Sequence, residues 1–305
     1  MALIALVSAA SDGVSTSATA LALSSRQSVL LAEFDMAGSK LRHRVLRGIH
    51  LGGQALDGNI GLHKLAEAYW SSAAAGVQDL APQVDQHLWP LDDTGMRLVL
   101  PGLTDPRQAS SLQELWPSLI DVLQMTDHEH HWDVIVDGGR LAWENGRLHR
   151  LLTPAPVLHQ ADIVLLVVRL ADPASVFLAS TAIEALQDEL GQHGTGARAL
   201  GLLTLSSGSR REFAPHEVEA KFEAPILGSL AWDERAAAYL SAGGAPPRNL
   251  ARSALLRSAR DVLGPLRAYA QQRRLHMEMR AQQGVSPAVL HQVRQLGMRR
   301  RREAS

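Results

Sequence analysis

Seven short apolar runs, most of them without alternation, set the terms for this 305-residue chain. They are ALIALV (2–7), VLLAEF (29–34), MRLVL (96–100), DVIVD (133–137), DIVLLVV (162–168), ARALGLLTL (197–205) and APILGSL (224–230). A strand with one wet face alternates apolar and polar residues. A run of Val, Ile and Leu without alternation is covered on both faces, as in a parallel sheet between helices. Helical stretches separate the runs, at 17–25, 110–125, 173–190, 214–222, 233–241 and 250–273. This order predicts an α/β fold with a doubly wound, mostly parallel sheet and helices on both faces. The composition agrees: 46% hydrophobic residues supply a core, and only 4% aromatics suit helices on a sheet better than a β-sandwich.

The chain has no cysteine, which excludes disulfides, thiol catalysis and zinc–thiolate sites and fits a reducing cytoplasm. No stretch reaches the roughly 18 uninterrupted apolar residues of a membrane span. The opening MALIALVSAA has no basic residue before it and reads as a strand, not a secretion signal. GGAPPR (243–248) marks a turn and GVSP (284–287) a hinge. With no internal repeat, one domain over 1–272 and an appended tail over 273–305 are expected. Residues 271–305 hold eight arginines against two glutamates, a balance of +6. The whole chain is at −1, so the remainder is at −7, and the tail is a basic appendage on an acidic body.

The stretch SAASDGVSTSATALALS (8–24) sits between the first strand and a small-residue helix. A strand, a tight loop and a helix start gather backbone N–H groups and a positive helix end at the carboxyl edge of the sheet, where an anion is stabilised. The segment SDGVSTSATALALS resembles, without a gap, the KGGVGKTT loop and helix of the MinD/ParA family of deviant Walker ATPases, P-loop NTPases with a three-layer sandwich fold. The resemblance implies ATP with magnesium, held by Ser11, Asp12, Gly13, Val14, Ser15, Thr16, Ser17 and Ala18. Gly13 and Val14 match directly, and Ser17 falls on the magnesium-binding hydroxyl. Ser11 stands at the signature lysine, Asp12 and Ser15 at glycines, and Thr16 at the phosphate-contacting lysine. A hydrogen bond to a charged group contributes about 1.5–3 kcal/mol, so the loss of two lysines weakens nucleotide binding by a factor on the order of 10² to 10⁴. Hydrolysis suffers more, since a cation aimed at the transition state is worth roughly 10³ to 10⁵ in related phosphoryl transfers.

The likeness extends over about residues 2–270. VLLAEFDMAGSKLR resembles the family's second strand end, with Glu33 and Asp35 on its two acidic positions; the second orients the attacking water. DVIVDGGRL resembles the Walker B strand, placing Asp137 where it reaches a magnesium-bound water. Gly138, Gly139 and Arg140 replace the usual Thr-Pro-Pro, and Arg140 is the candidate to supply charge that the loop lacks. No asparagine for adenine recognition lies near Ser206. Altered phosphate loops of this kind are found in the CpaE/TadZ sort of MinD/ParA-like proteins, which accompany pilus assembly and secretion machines. The resemblance therefore implies a homodimer that acts as a localisation or assembly factor with weak or absent hydrolysis. A slow, genuine ATPase of chromosome partitioning or division positioning is the alternative.

Two further features are expected to lie outside the nucleotide chemistry. His128, His130 and His131 read as a solvated connection, and the six tryptophans as core or rim packing. In the tail, SPAVLHQVRQLGMRRRRE (286–303) offers Ser286 as a cap, Pro287 in a first turn, and apolar residues beside an arginine run. Short basic amphipathic helices lie on anionic membranes, each cation contributing about 1 kcal/mol. Residues 286–302 are thus a candidate contact for a membrane's inner face or a protein partner, and nucleic acid is the lesser alternative.

Overall fold

The computed structural model describes residues 2–10, 13–74, 80–130, 132–193 and 196–284. Its main sheet has eight strands: β1 Leu3–Ser8, β2 Val29–Glu33, β3 Trp89–Pro90, β4 Arg97–Leu100, β5 Asp133–Arg140, β6 Ile163–Arg169, β7 Leu200–Ser206 and β8 Ile226–Ala231. They lie in the order β8-β7-β6-β1-β5-β2-β4-β3, and only β3 runs antiparallel to its neighbour. The helices are α1 Val14–Ser24, α2 Leu62–Ala74, α3 Ala81–Gln86, α4 Trp116–His130, α5 Ala155–Gln160, α6 Pro173–Gln192, α7 Pro215–Phe222, α8 Glu234–Ala242 and α9 Ala254–Gly284. The doubly wound α/β architecture expected from the unalternating runs is present, with all seven expected strands.

β1 shows why those runs do not alternate. Leu3, Ala5 and Val7 enter one core, with residues of α2, α4, α5 and α6; Ala2, Ile4 and Leu6 enter a second, with α1, α8 and α9. Both faces are dry, so both parities of the strand are apolar. In the first core Phe34 meets Trp116 edge to face, with ring centroids 5.2 Å apart. In the second, α1 is buried along almost its whole length, including Ser15, Thr16, Ser17 and Thr19. Its small side chains let it fit between the sheet and α9.

Three features differ from the expected elements. The stretch 110–125 divides: Pro106–Leu112 is a 3₁₀ turn, and α4 begins at Trp116, with Pro117 in its first turn where a missing N–H is tolerated. The edge strand β3 and helices α2, α3 and α5 had no strong periodic signal. Finally, α9 spans 254–284, where a helix over 250–273 was expected.

The amino edge of the sheet is tied together by two aspartates. Asp133 accepts a hydrogen bond from the Ala2 N–H through Oδ1 (3.1 Å) and one from Arg267 Nε of α9 through Oδ2 (2.5 Å). Asp162 accepts from the Leu3 N–H (2.8 Å) and from Arg274 Nε (2.6 Å). Both carboxylates are buried, so each is stabilised by a cation and a backbone donor together. Among the described residues no helix is long and apolar enough to cross a membrane.

Candidate functional site

At the opposite, carboxyl edge, where β1, β5 and β6 end, a cleft of about 440 Å³ opens. In a doubly wound sheet this is where ligands settle. Its floor is the start of α1. Gly13 caps that helix in the left-handed conformation (φ 83°) and has no side chain of its own to take up the first-turn N–H groups. The helix therefore turns those N–H groups and the positive end of its dipole toward the cleft. Gly13, Val14, Ser15 and Thr16 line it, whereas Ser17 and Ala18 are wholly buried beneath. Ser11 and Asp12 lie outside the described residues.

Gly13 is held in place from above. A Cβ there would stand 3.0 Å from Cη2 of Trp232, so a side chain larger than hydrogen meets an indole as well as an unfavourable φ. The Arg169 guanidinium stacks 4.1 Å from the Trp232 ring centroid, forming one wall. Ser206, near which the resemblance places adenine recognition, donates its hydroxyl to Glu212 (2.6 Å).

The other wall is built from β2 and β5. Residues Glu33 and Asp137 face each other as partners across these strands. Glu33 is buried and accepts four hydrogen bonds: from the Ser39 hydroxyl (2.5 Å) and from the N–H groups of Lys40 (2.6 Å), Leu41 (2.9 Å) and Gly102 (2.9 Å). It curls the 35–41 segment around itself and so delivers Lys40 to the cleft. Asp35 is buried as well. Its Oδ1 accepts from the Ala37 N–H (2.9 Å) and its Oδ2 from Lys40 Nζ (2.5 Å).

Asp137 has a different setting. Its Oδ1 accepts a 3.2 Å bond from the Gly139 N–H, and Oδ2 is enclosed without a hydrogen-bond partner at normal distance among the described residues. Burial, then the neighbouring charges of Asp35 and Glu33, push its carboxyl up to about 7, against a weaker opposite pull from Ser15 and Lys40. Beyond Asp137 the β1–β5 register slips, Leu6 pairing with Asp137 but Ser8 with Arg140. One extra residue is accommodated at Gly139, whose φ of 65° and 2.4 Å approach of a would-be Cβ to Asp35 require glycine. The bulge explains the glycine pair and sets Arg140 on the cleft's lip.

The candidate residues described thus converge, yet the sequence reading missed half of the site. The loop supplies no lysine, but the cleft is lined by four cations from elsewhere: Lys40, Arg44, Arg140 and Arg169. Only Arg140 was foreseen. The donors suit an anion of phosphate class, with helix N–H groups below and guanidinium and ammonium groups around. For magnesium, Ser17 Oγ is, like Asp137 Oδ2, a buried oxygen without a partner among the described residues. Two such hard donors fit the ion, which would neutralise phosphate charge there.

The sheet order, the loop at the end of its central strand and the two acidic strand ends define a P-loop NTPase-like α/β fold. Solved structures make it more specific: the fold is that of the MinD and ParA ATPases. The chain is similar to a ParA family ATPase from Chlorobium tepidum, with a TM-score of 0.58 and 14% identity over 86% of this chain and 99% of that one. It is similar to the septum site-determining protein MinD of Pyrococcus horikoshii complexed with Mg-ADP, with a TM-score of 0.56 and 16% identity over 86% and 94%. A Cyanothece McdA variant in complex with ATP gives 0.57 and 16% over 87% and 96%. The sequence itself matches no protein-family model and no curated protein.

Proposed function

We propose that this chain is a MinD/ParA-like pseudo-ATPase, a homodimeric localisation or assembly factor of the CpaE/TadZ sort for a pilus or secretion machine. It binds ATP and magnesium weakly and hydrolyses ATP very slowly or not at all. One observation carries the reading: Asp35, at the position that orients the attacking water, has one oxygen engaged by a backbone N–H and the other by Lys40. A carboxylate held this way is a poor acceptor for a water proton. The loop's missing lysines and the raised pKa of the buried Asp137 support it. The nucleotide complexes of the similar MinD and McdA structures support a nucleotide-class ligand for the cleft. Residues 286–302, which lie outside the described residues, are the proposed contact with an anionic membrane face or a machine component.

Steady-state ATP hydrolysis by the full chain, with magnesium and with or without anionic vesicles, tests the proposal. Turnover at least a hundredfold below that of a MinD or ParA protein measured alongside is expected. Comparable turnover overturns it.

A second reading rests on the four cations in the cleft: a genuine but slow ATPase of partitioning or division positioning, with Arg140 doing the missing lysine's work. Calorimetric titration with ATP and magnesium separates the two. Micromolar affinity abolished by Arg140→Ala favours the enzyme.

A further inference from the structure

Away from the cleft, two helices bring together a second cluster of titratable side chains. His159 comes from α5, Glu189 from the last turn of α6 and His193 from the C-cap of that helix. One donor atom of each lies within 4.8 Å of the others. α6 leaves the carboxyl end of β6 and runs back along it, and α5 ends just before β6 begins. The cluster therefore sits at the amino edge of the sheet, away from the nucleotide-class cleft, on a separate cavity of about 640 Å³.

We infer that His159, Glu189 and His193 form a binding site for a divalent transition metal of the zinc class, with a coordination position left open to that cavity. His193 Nδ1 stands 2.9 Å from the Glu189 backbone carbonyl and 3.6 Å from Glu189 Oε1, so metal binding exchanges the contact with the carbonyl for a bond to the ion. His159 Nε2 lies 3.0 Å from Glu189 Oε1, aiming the second imidazole at the same carboxylate.

Charge argues the same way. Glu189 is buried near the C-terminus of a 20-residue helix, where the helix dipole is negative and a carboxylate is unfavourable. Among the described residues its ion-pair partners are His159 and His193 alone. Their rings stack in parallel, 3.6 Å between centroids; an imidazole binds a metal in its own plane, so the more exposed His193 ring turns out of the stack on binding. A divalent ion satisfies the carboxylate and uses the neutral imidazoles as ligands. Two histidines and a glutamate are a common zinc set, and bonds of about 2.0–2.1 Å require the donors to close to roughly 3.4 Å apart. Glu189 and His193, four residues apart on one helix face, can close by side-chain rotation. Binding displaces the proton shared between His159 and Glu189 into solvent.

The test is titration of the chelator-stripped full-length chain with zinc by calorimetry, with cobalt as an optical substitute. One zinc per chain is expected, with a tetrahedral cobalt spectrum and a raised Tm. Affinity should fall at least tenfold in both His193→Ala and Glu189→Gln. His193 is the most exposed of the three, and its variant is the one expected to keep the apo Tm unchanged. Absence of stoichiometric binding overturns the inference. So does binding that survives both variants and is lost in a His128→Ala, His130→Ala, His131→Ala chain instead.

Discussion

Glu33 and Asp137 are paired on adjacent strands, equally buried, and opposite in character. Glu33 has four donors and shapes a loop; Asp137 Oδ1 takes one long backbone bond and its Oδ2 has no partner among the described residues. Burial alone does not say what a carboxylate does. The donors around it decide whether it is a fixed part of the scaffold or a group held ready to exchange a proton or meet a cation.

The contrast can be broken at either end. Glu33→Ala leaves three backbone N–H groups without their acceptor and should destabilise the chain by about 5 kcal/mol in urea unfolding; a loss near 1 kcal/mol would mean that water replaces the carboxylate. Asp137 gives the next effect, through pH. Its folded pKa of about 7 lies above the unfolded value of 3.8, so the folded state holds the extra proton between them. Stability from this group is therefore present below pH 4 and lost as pH rises to 7, by roughly 4 kcal/mol in all. Asp137→Asn should remove that slope, so that the variant gains on the wild type between pH 4 and 8. Equal slopes in chemical denaturation across that range would refute the assignment. Gly139→Ala should cost about 2 kcal/mol, from its positive φ and the collision with Asp35; a smaller cost would show the bulge to be pliant. Lys40→Met is the mildest in stability, about 1 kcal/mol, since the lysine is part-exposed. It should nonetheless weaken inorganic triphosphate binding several-fold by calorimetry.

The inner strands β1, β2, β5, β6 and β7 were legible because each declares two buried faces in its own residues. Helices α2, α3 and α5 were not. LHKLAEAYW is amphipathic but carries few strong apolar positions, and APQVDQ and APVLHQ are six residues each, too short for a period to register. The site divides in the same way. Gly13, Ser17, Asp35, Asp137 and Arg140 lie on contiguous stretches that match a known spacing. Lys40 reaches the cleft only because Glu33 folds its segment back, and Arg169 is aligned by a tryptophan 63 positions later. His159 joins Glu189 and His193 only after β6 has placed α5 beside the end of α6. Long-range placement of this kind leaves no periodic trace.

The amino edge carries a mechanical implication. Asp133 and Asp162 each grip the backbone at the start of β1 with one atom set and an arginine of α9 with another. The strand that ends in the phosphate-class loop and the helix that leads toward the basic tail are thus fastened to the same two anchors. A tug on the end of α9 is a load on the root of β1, and such a force enters the molecule along the central strand.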